Sequence, residues 1–209
     1  MKVVVLGAGA VGLTIAAKLS RVADVHAVAR ARHADAVRER GLFLTGIWGE
    51  GTYRFSCSED LPPAWRAADY FIITAKSTDT EAVCRQFADA IRGQEVVSLQ
   101  NGIGNEEVIG RFTDRVIGAM IITGFEWRGD AAVHVSVEAA PMRLGRFPSG
   151  TDEAVVRLAS LFSEAGIRAE ATGAIRSDLW SKTLYNCALN PLGAIMNVPY
   201  GALADPHAW

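Results

Sequence analysis

The sequence predicts an α/β protein in which a doubly wound parallel sheet is followed by a mainly helical segment. Three observations predict this fold class. Short apolar runs rich in β-branched residues recur up to about residue 148, which is typical of strands buried on both faces. Helical patterns separate these runs, as in βαβ units. The linker-like stretch PSGTDE at 148–153 and a helical pattern from Ser177 onward then mark the end of the sheet region.

The elements of the sheet region follow in order. Strands are predicted at Lys2–Leu6, Asp24–Ala29, Tyr70–Thr74, Glu95–Leu99 and Val116–Ile122, and as an antiparallel pair at Ala132–Val137 and Pro141–Arg146. Residues 42–58 alternate weakly and predict a hairpin near the edge of the sheet. Helices are predicted at Val11–Ser20, at a short segment ending with Val37–Arg40, and at Thr80–Ile91; Gly41 and Gly93 end the last two.

A further helix, strand and helix are predicted after the linker. Thr151 is the expected N-cap of the first helix, Gly166 its stop, and its apolar stripe consists of Val155, Leu158, Leu161 and Phe162. A short strand is expected at Ile167–Ala171. We expect Pro191 to kink or break the last helix just after Asn190.

Composition excludes several classes of protein. A formal charge of −2 over 209 residues gives no reason to expect nucleic acid or a membrane surface as a partner. Three cysteines and four histidines are scattered, so we expect neither a disulfide framework nor a metal site. The apolar N-terminal stretch resembles a secretion signal, but glycines interrupt it and Lys18 and Arg21 close it. We therefore expect a soluble, cytoplasmic protein.

The first turn of the chain fits the pattern G-x-G-x-x-G. It consists of Gly7, Ala8, Gly9, Ala10, Val11 and Gly12, and it lies between a predicted strand and a predicted helix. Such glycines permit a tight turn, close approach of a pyrophosphate and close packing of helix on strand, and the helix N-terminus favours phosphate. We predict a Rossmann-type dinucleotide site; a turn that merely packs well is the alternative.

The end of the second strand indicates which dinucleotide binds. An acidic residue at this position would bind the ribose of NAD, but here the strand delivers Arg30, with Arg32 close behind. Because a guanidinium suits a 2′-phosphate, the sequence favours NADPH/NADP+ over NADH/NAD+. A solvated basic turn is the alternative interpretation of both arginines.

Two loops after later strands should lie at the same edge of the sheet, where ligands of such folds bind. Lys76 follows the strand YFIIT and offers a cation to a cofactor or a carboxylate. Asn101 follows the strand VVSL and can both donate and accept hydrogen bonds. A solvent-facing lysine and an ordinary Asn-Gly turn are the competing interpretations.

The segment LWSKTLYNCALNP carries an unusual polar stripe. Lys182, Asn186 and Asn190 are spaced i, i+4, i+8 in an otherwise apolar helix, where asparagine is unfavourable. One cation and two amides facing a polar ligand would explain that cost, and a lysine in a partly closed cleft can act as an acid. A surface helix with a polar face is the alternative.

Together these motifs resemble the ketopantoate reductase family, whose members reduce ketopantoate with NADPH on the route to pantothenate and coenzyme A. The resemblance implies cofactor binding by residues 7–12, Arg30, Lys76, Asn101 and Phe125, the last near the nicotinamide end. It implies proton donation by Lys182 and substrate binding by Asn101, Lys182, Asn186 and Asn190. No metal is implied, and a homodimer is a possible assembly.

The resemblance also implies two domains. Residues 1–174 would form the NADP-binding domain, including an extension at 151–172, and residues 175–209 would begin an all-helical substrate domain. Family members continue for roughly another ninety residues, so the resemblance implies a C-terminally truncated chain. Tyr200 stands where the family pattern has an asparagine. A reductase of a different 2-keto acid and a non-catalytic NADP-binding fragment therefore stay open as alternatives.

Overall fold

A computed structural model describes residues 1–198 and 200–203. Its strands are β1 Lys2–Leu6, β2 Asp24–Val28, β3 Leu42–Gly46, β4 Gly51–Tyr53, β5 Ser56–Ser58, β6 Tyr70–Ile73, β7 Glu95–Ser98, β8 Val116–Gly129, β9 Ala132–Arg146 and β10 Ala169–Ala171. Its helices are α1 Ala10–Leu19, α2 Ala31–Arg40, α3 Thr80–Gln86, α4 Ala88–Ile91, α5 Asn105–Ile109, α6 Glu153–Glu164, α7 Ile175–Met196 and α8 Tyr200–Leu203.

The strands form one ten-stranded, mostly parallel sheet. Its order is β4-β3-β9-β8-β7-β6-β1-β2-β5, and β10 pairs with β9. β1, β2, β6, β7 and the start of β8 run parallel, so the turns after their carboxyl ends lie along one edge. β6 and β7 are buried throughout; the unbroken apolar pattern of β6 predicts this, whereas β7 also buries the polar Glu95 and Ser98 at its two ends. The predicted α/β fold with a Rossmann-type sheet is confirmed.

Two apolar clusters cover the two faces of the sheet. One includes Leu13 and Ile15 of α1 together with Leu158 and Phe162 of α6. The other packs α3, α4 and α5 against alternate residues of the same strands, with Phe71 at its centre. The predicted apolar stripe of α6 is buried. Helices therefore cover both faces of the sheet, and the parallel strands lie between them.

The region 116–146 differs from the prediction. The expected strand at Val116–Ile122 continues to Gly129, and the two expected strands at 132–137 and 141–146 are one strand, β9. β8 and β9 form a long antiparallel hairpin with four register shifts. Strand bulges of this kind absorb local irregularities without ending the ladder, which is why Pro141 does not divide β9.

The predicted edge hairpin at 42–58 is correct only in part. β3 and β4 do pair antiparallel at one edge of the sheet. β5, however, leaves them and pairs parallel with β2 at the opposite edge. Weak alternation identifies an edge strand, but it carries no information about which edge the strand joins.

Three helix details also differ. The predicted helix 80–91 is interrupted at Phe87, whose φ of −109° and ψ of 18° are not helical. Asp152 rather than Thr151 is the N-cap of α6, since its carboxylate accepts a hydrogen bond from the Val155 amide at 3.0 Å. Pro191 does not break α7, which continues to Met196 and ends at Asn197; a kink at Pro191 stays a prediction.

α7 reaches the sheet over a pair of glycines. Gly118 of β8 and Gly145 of β9 lie opposite each other, and a Cβ at either position would come within 2.9 Å of the Ile175 side chain. Ile175 and Leu179 pack there against Met120. Each buried aliphatic side chain stabilises such a contact by about 1.5–3 kcal/mol. Gly118 and Gly145 therefore determine how closely the next turn of α7 approaches β8.

Candidate active site

The glycine turn lies between β1 and α1 as the sequence predicts. Gly7 has a φ of +69°, which favours glycine, and a Cβ there would lie 2.6 Å from the Ala75 Cβ. At Gly12 a Cβ would come 2.2 Å from the Thr74 hydroxyl oxygen. Gly9, by contrast, has no heavy atom within 4 Å of an added Cβ. Two glycines therefore permit packing, while Gly9 leaves an open approach.

The open approach at Gly9 leads to the N-terminus of α1. Gly9 is the N-cap residue of α1, and no side chain in the described part of the chain caps it. The first amides of Ala10, Val11 and Gly12 have no intrahelical acceptors and carry the positive end of the helix dipole. The turn at residues 7–12 therefore fits the pyrophosphate of a dinucleotide.

Arg30 and Arg32 have different surroundings. Arg30 is exposed at the N-terminus of α2, directly after β2 and its Ala29, and it forms no ion pair with any described residue. The Arg32 guanidinium is bonded to the Asp130 carboxylate at 2.9 Å. Beside this pair, His33 stacks on Trp127 with ring centroids 4.7 Å apart. The tip of the β8–β9 hairpin thus contacts α2 through Arg32 and His33. Of the two arginines, Arg30 is the one whose guanidinium has no carboxylate partner among the described residues.

The loop with Lys76 adjoins the glycine turn. Lys76 is exposed and directly precedes a short 3-10 turn at Ser77–Asp79. Ala75, the residue before it, is the one that a Cβ on Gly7 would touch. Lys76 therefore stands at the same edge of the sheet as the glycine turn, as the positions of the strand ends predict.

Asn101 and Lys182 are in direct contact. The Lys182 ammonium donates to the Asn101 Oδ1 at 2.6 Å and to the Ile121 carbonyl oxygen at 2.5 Å. The Ser77 hydroxyl donates to the Asn101 carbonyl oxygen at 2.6 Å. The structure thus brings the turn after β7, the loop after β6 and helix α7 together at one point.

The Ile121 carbonyl is available because of the lengths of two strands. β7 pairs with β8 only at Val116–Gly118 and ends at Ser98, whereas β8 continues to Gly129. Beyond Gly118 no strand of the described residues pairs with that side of β8, so a lysine can take the place of a ladder donor. A backbone acceptor leaves no trace in the residue pattern, and the sequence analysis missed it.

Burial changes the acidity of Lys182. Desolvation of the ammonium lowers the pKa of Lys182 from its ordinary value near 10.5 to about 8. Two acceptors hold the ammonium in place, and an ammonium carries three hydrogens. The third hydrogen of the ammonium is left for a further acceptor. The lowered pKa of Lys182 brings the loss of its proton close to neutral pH.

The two predicted asparagines continue the stripe along α7. Since α7 is unbroken from Ile175 to Met196, Asn186 and Asn190 follow Lys182 at successive turns on one face, each about 6 Å further on. Asn186 is half-buried and Asn190 is exposed. The stripe begins at the Lys182–Asn101 contact and runs outward into solvent.

Phe125 lies apart from that contact. Its ring packs edge-on against Trp48, with centroids 5.5 Å apart, where the β3–β4 turn meets β8. Along β8, three residues separate it from Ile121, which accepts from Lys182. Its predicted place beside a nicotinamide stays a prediction.

The helices and the potential metal-binding side chains of the described residues were compared with what a membrane or a metal ion requires. None of the helices in residues 1–198 and 200–203 is long and apolar enough to cross a membrane. Within the same residues, no three side chains among His, Cys, Asp and Glu come together as metal ligands would. His207 lies outside the described residues, as does the end of the predicted segment 175–209.

Comparison with known proteins gives matches along the whole chain. The family described as "Ketopantoate reductase PanE/ApbA" matches residues 3–149, and its C-terminal family, "Ketopantoate reductase PanE/ApbA C terminal", matches residues 174–209. A 2-dehydropantoate 2-reductase of Pyrococcus horikoshii is 35% identical over 98% of this chain. The match covers 67% of that relative, so the chain spans about two thirds of its length.

Solved structures are similar as well. A PanE/ApbA family ketopantoate reductase from Ralstonia eutropha JMP134 matches with a TM-score of 0.83 and 30% identity, over 99% of this chain and 68% of that one. A D-mandelate dehydrogenase, solved with NADH and anilino(oxo)acetate, matches with a TM-score of 0.81 at 24% identity, over 94% of this chain and 65% of that one. The second likeness concerns the fold alone.

Proposed function

Since this chain belongs to the ketopantoate reductase family, we propose that it is an NADPH-dependent oxidoreductase that reduces the 2-keto group of 2-dehydropantoate to give pantoate. The reaction serves pantothenate and coenzyme A biosynthesis. The observation that carries the proposal is the contact between Lys182 and Asn101, because it joins an acidic ammonium to the edge of the sheet that bears the glycine turn.

The residues along that edge fit a nicotinamide dinucleotide. The α1 N-terminus and its open approach at Gly9 suit a pyrophosphate, and the exposed Arg30 suits a 2′-phosphate. Lys76, Asn101 and Phe125 are assigned to the remainder of the cofactor on the family resemblance. When bound, NADPH supplies the hydride for the reaction.

Lys182 has the central role in the proposed chemistry. Addition of hydride to the keto carbon breaks the carbon–oxygen π bond, and negative charge develops on the oxygen. The Lys182 ammonium stabilises that charge and then donates a proton to it, which gives the hydroxyl group. Its pKa of about 8 makes the proton available near neutral pH.

The amides orient the substrate around Lys182. Asn101 accepts one ammonium hydrogen through Oδ1, and its NH₂ group, which donates to none of the described residues, can donate to substrate or cofactor. Asn186 and Asn190 present further donors along the same face of α7 to the oxygens of the keto acid. Holding reactants in one geometry in this way supplies much of the rate enhancement of such enzymes.

A reductase of a different 2-keto acid is the second candidate. Tyr200 replaces an asparagine of the family pattern, which favours a substrate other than 2-dehydropantoate. We propose a cytoplasmic location for either candidate. The exposed apolar residues of α7, among them Leu184 and Ile195, support self-association as a homodimer.

The test measures NADPH oxidation by the purified chain with 2-dehydropantoate and a panel of other 2-keto acids. We expect turnover, and we expect Lys182→Ala to lower kcat by about 10² to 10⁴-fold while NADPH still binds. Arg176→Ala removes an exposed cation from the same helix and serves as the control. An unchanged rate in Lys182→Ala would remove the proposed proton donor. NADPH binding without turnover on any keto acid would favour the non-catalytic alternative.

A further inference from the structure

Buried polar side chains lie beneath the turn that carries Asn101. Thr80, Gln100 and Asn105 are 1%, 5% and 3% exposed, and they connect the loop after β6 to the turn after β7. With the exposed Ser77 they form a group that we call the Asn101 bracket: Ser77, Thr80, Gln100 and Asn105. None of these four was singled out by the sequence analysis.

Gln100 ties the two loops together. Its Nε2 donates to the Ala75 carbonyl oxygen at 3.0 Å and to the Thr80 hydroxyl oxygen at 2.8 Å, so both amide hydrogens are used. Ala75 directly precedes Lys76 and adjoins the glycine turn. The position of the Lys76 backbone is therefore linked to the end of β7.

Asn105 and Ser77 hold the backbone of Asn101. The Asn105 Nδ2 donates to the Asn101 carbonyl oxygen at 3.3 Å, and the Ser77 hydroxyl donates to the same oxygen at 2.6 Å. Both lone pairs of that oxygen are then engaged. These hydrogen bonds fix the peptide plane between Asn101 and Gly102. Gly102 has a φ of +92°, a backbone conformation that glycine adopts readily.

Thr80 completes the bracket. Its hydroxyl accepts from the Gln100 Nε2, and its single hydrogen has two acceptors at 3.0 Å, the Asn105 Oδ1 and the Ser77 carbonyl oxygen. Replacement of that hydroxyl by a methyl group would remove the acceptor of one Gln100 amide hydrogen and a donor to the Asn105 Oδ1, and unpaired buried polar atoms are costly. A turn between a strand and a helix needs no such network, so we attribute it to the accuracy with which Asn101 must be placed.

We propose that Ser77, Thr80, Gln100 and Asn105 are positioning residues that hold the Asn101 side chain against the Lys182 ammonium. The proposal rests on the reductase function above and deepens it. Among the described residues, the hydrogen bonds of the Lys182 ammonium go to Asn101 and Ile121 and not to these four. They act through the backbone of Asn101, and through Ala75 they fix the neighbouring Lys76 loop.

Two variants and their matched controls test the proposal. Thr80→Val removes the central hydroxyl, and Thr80→Ser keeps it. Ser77→Ala removes a surface hydroxyl that contacts Asn101, whereas Thr78→Ala removes one that does not. We expect kcat to fall about tenfold or more in Thr80→Val and severalfold in Ser77→Ala, with the Kd for NADPH changed less than about twofold. Thr80→Ser and Thr78→Ala should keep the wild-type kcat.

A double-mutant cycle separates positioning from stability. If the bracket acts through Asn101, Thr80→Val should cause no further loss of kcat in an Asn101→Ala background. A lower Tm in Thr80→Val with kcat unchanged would show a merely structural role and overturn the proposal. Equal losses of kcat in both backgrounds would overturn it as well.

Crystal structures of the unliganded variants give a readout independent of turnover. We expect the Asn101–Lys182 contact of 2.6 Å to be lost in Thr80→Val and kept in Thr80→Ser. An intact contact in Thr80→Val would overturn the positioning proposal. Absence of turnover in the wild-type chain would instead overturn the proposed function, so the two failures are distinguishable.

Discussion

The Lys182 ammonium lies 2.6 Å from the Asn101 side-chain oxygen, although 81 positions separate the two residues in the chain. Asn101 belongs to the turn after β7, and Lys182 belongs to α7, which crosses the sheet over Gly118 and Gly145. An ammonium on the far side of the molecule would have excluded catalysis at the glycine-bearing edge. The contact places a cation of lowered pKa there.

The activity should depend on the protonation of Lys182. Because the proton donor must be charged, kcat/KM for NADPH oxidation should fall tenfold per pH unit above about pH 8, where an ordinary lysine would hold its proton up to about pH 10.5. A pH–rate profile of the wild type and of Arg176→Ala should show this limb. The same limb in the residual activity of Lys182→Ala would assign it to another group.

The same pKa predicts a pH dependence of stability. Between about pH 8 and 10.5 the unfolded chain holds a proton on Lys182 that the folded chain has lost. The contribution of Lys182 to the free energy of unfolding should therefore rise with pH across that window. Urea unfolding of wild type and Lys182→Met at pH 7.5 and 10 measures it, and an equal pH response in both proteins would contradict it.

Cofactor preference should depend on Arg30 and much less on Arg32. Within residues 1–198 and 200–203, Arg30 at the N-terminus of α2 forms no ion pair, whereas Arg32 is bonded to Asp130. Arg30→Ala should weaken NADPH binding about tenfold or more and leave NADH binding nearly unchanged, because only NADPH carries the 2′-phosphate. Arg32→Ala is the matched control. Titration calorimetry with both cofactors measures the effect, and equal preference in wild type and Arg30→Ala would refute the assignment.

Gly9 and Gly12 should respond differently to the same substitution. Gly12→Ala forces a Cβ to within 2.2 Å of the Thr74 hydroxyl and should cost about 1–3 kcal/mol of stability. Gly9→Ala meets no atom within 4 Å and should keep the Tm, yet weaken NADPH binding because its methyl group lies on the pyrophosphate approach. Thermal unfolding and cofactor titration of both variants measure this. Unimpaired NADPH binding in Gly9→Ala would argue against the pyrophosphate site.

Asn186 should affect substrate more than cofactor. Asn186→Ala removes an amide one turn beyond Lys182 and should raise KM for the keto acid about tenfold, with the Kd for NADPH within about twofold, as expected for one lost hydrogen bond to a charged group. Ser181→Ala changes an exposed neighbour outside the Lys182–Asn186–Asn190 stripe and is the control. Steady-state kinetics with varied keto acid measure both, and equal KM values would remove Asn186 from the substrate site.

Much of the fold follows from local patterns in the sequence. The buried parallel strands β1 and β6 are apolar on both faces, so they are recognisable without any knowledge of their neighbours. The glycine spacing and the i, i+4, i+8 stripe likewise depend only on residues close in the chain. Prediction from sequence therefore places the residues around the Lys182–Asn101 contact on the correct elements.

What the sequence did not predict depends on contacts between distant residues. The tip of the β8–β9 hairpin carries Glu126 and Arg128, whose charges end the apolar pattern although the strand continues. The pairing of Arg32 with Asp130 and the bond from Lys182 to the Ile121 carbonyl join parts of the chain that no local window spans. The Asn101 bracket was missed because buried Gln100 and Asn105 look like ordinary turn residues.

The pairing of β3 with β9 has a consequence for folding of the chain during its synthesis on the ribosome. The Thr45 hydroxyl and the His134 ring meet at 2.9 Å although 89 positions separate them, and in the part of the chain that the structure describes β3 pairs with β4 and β9 alone. At about 5–20 residues per second, roughly 5 to 20 seconds pass between synthesis of β3 and emergence of β9. Throughout that interval the nascent β3–β4 hairpin presents an unpaired edge, at which a chaperone would protect it from other growing chains.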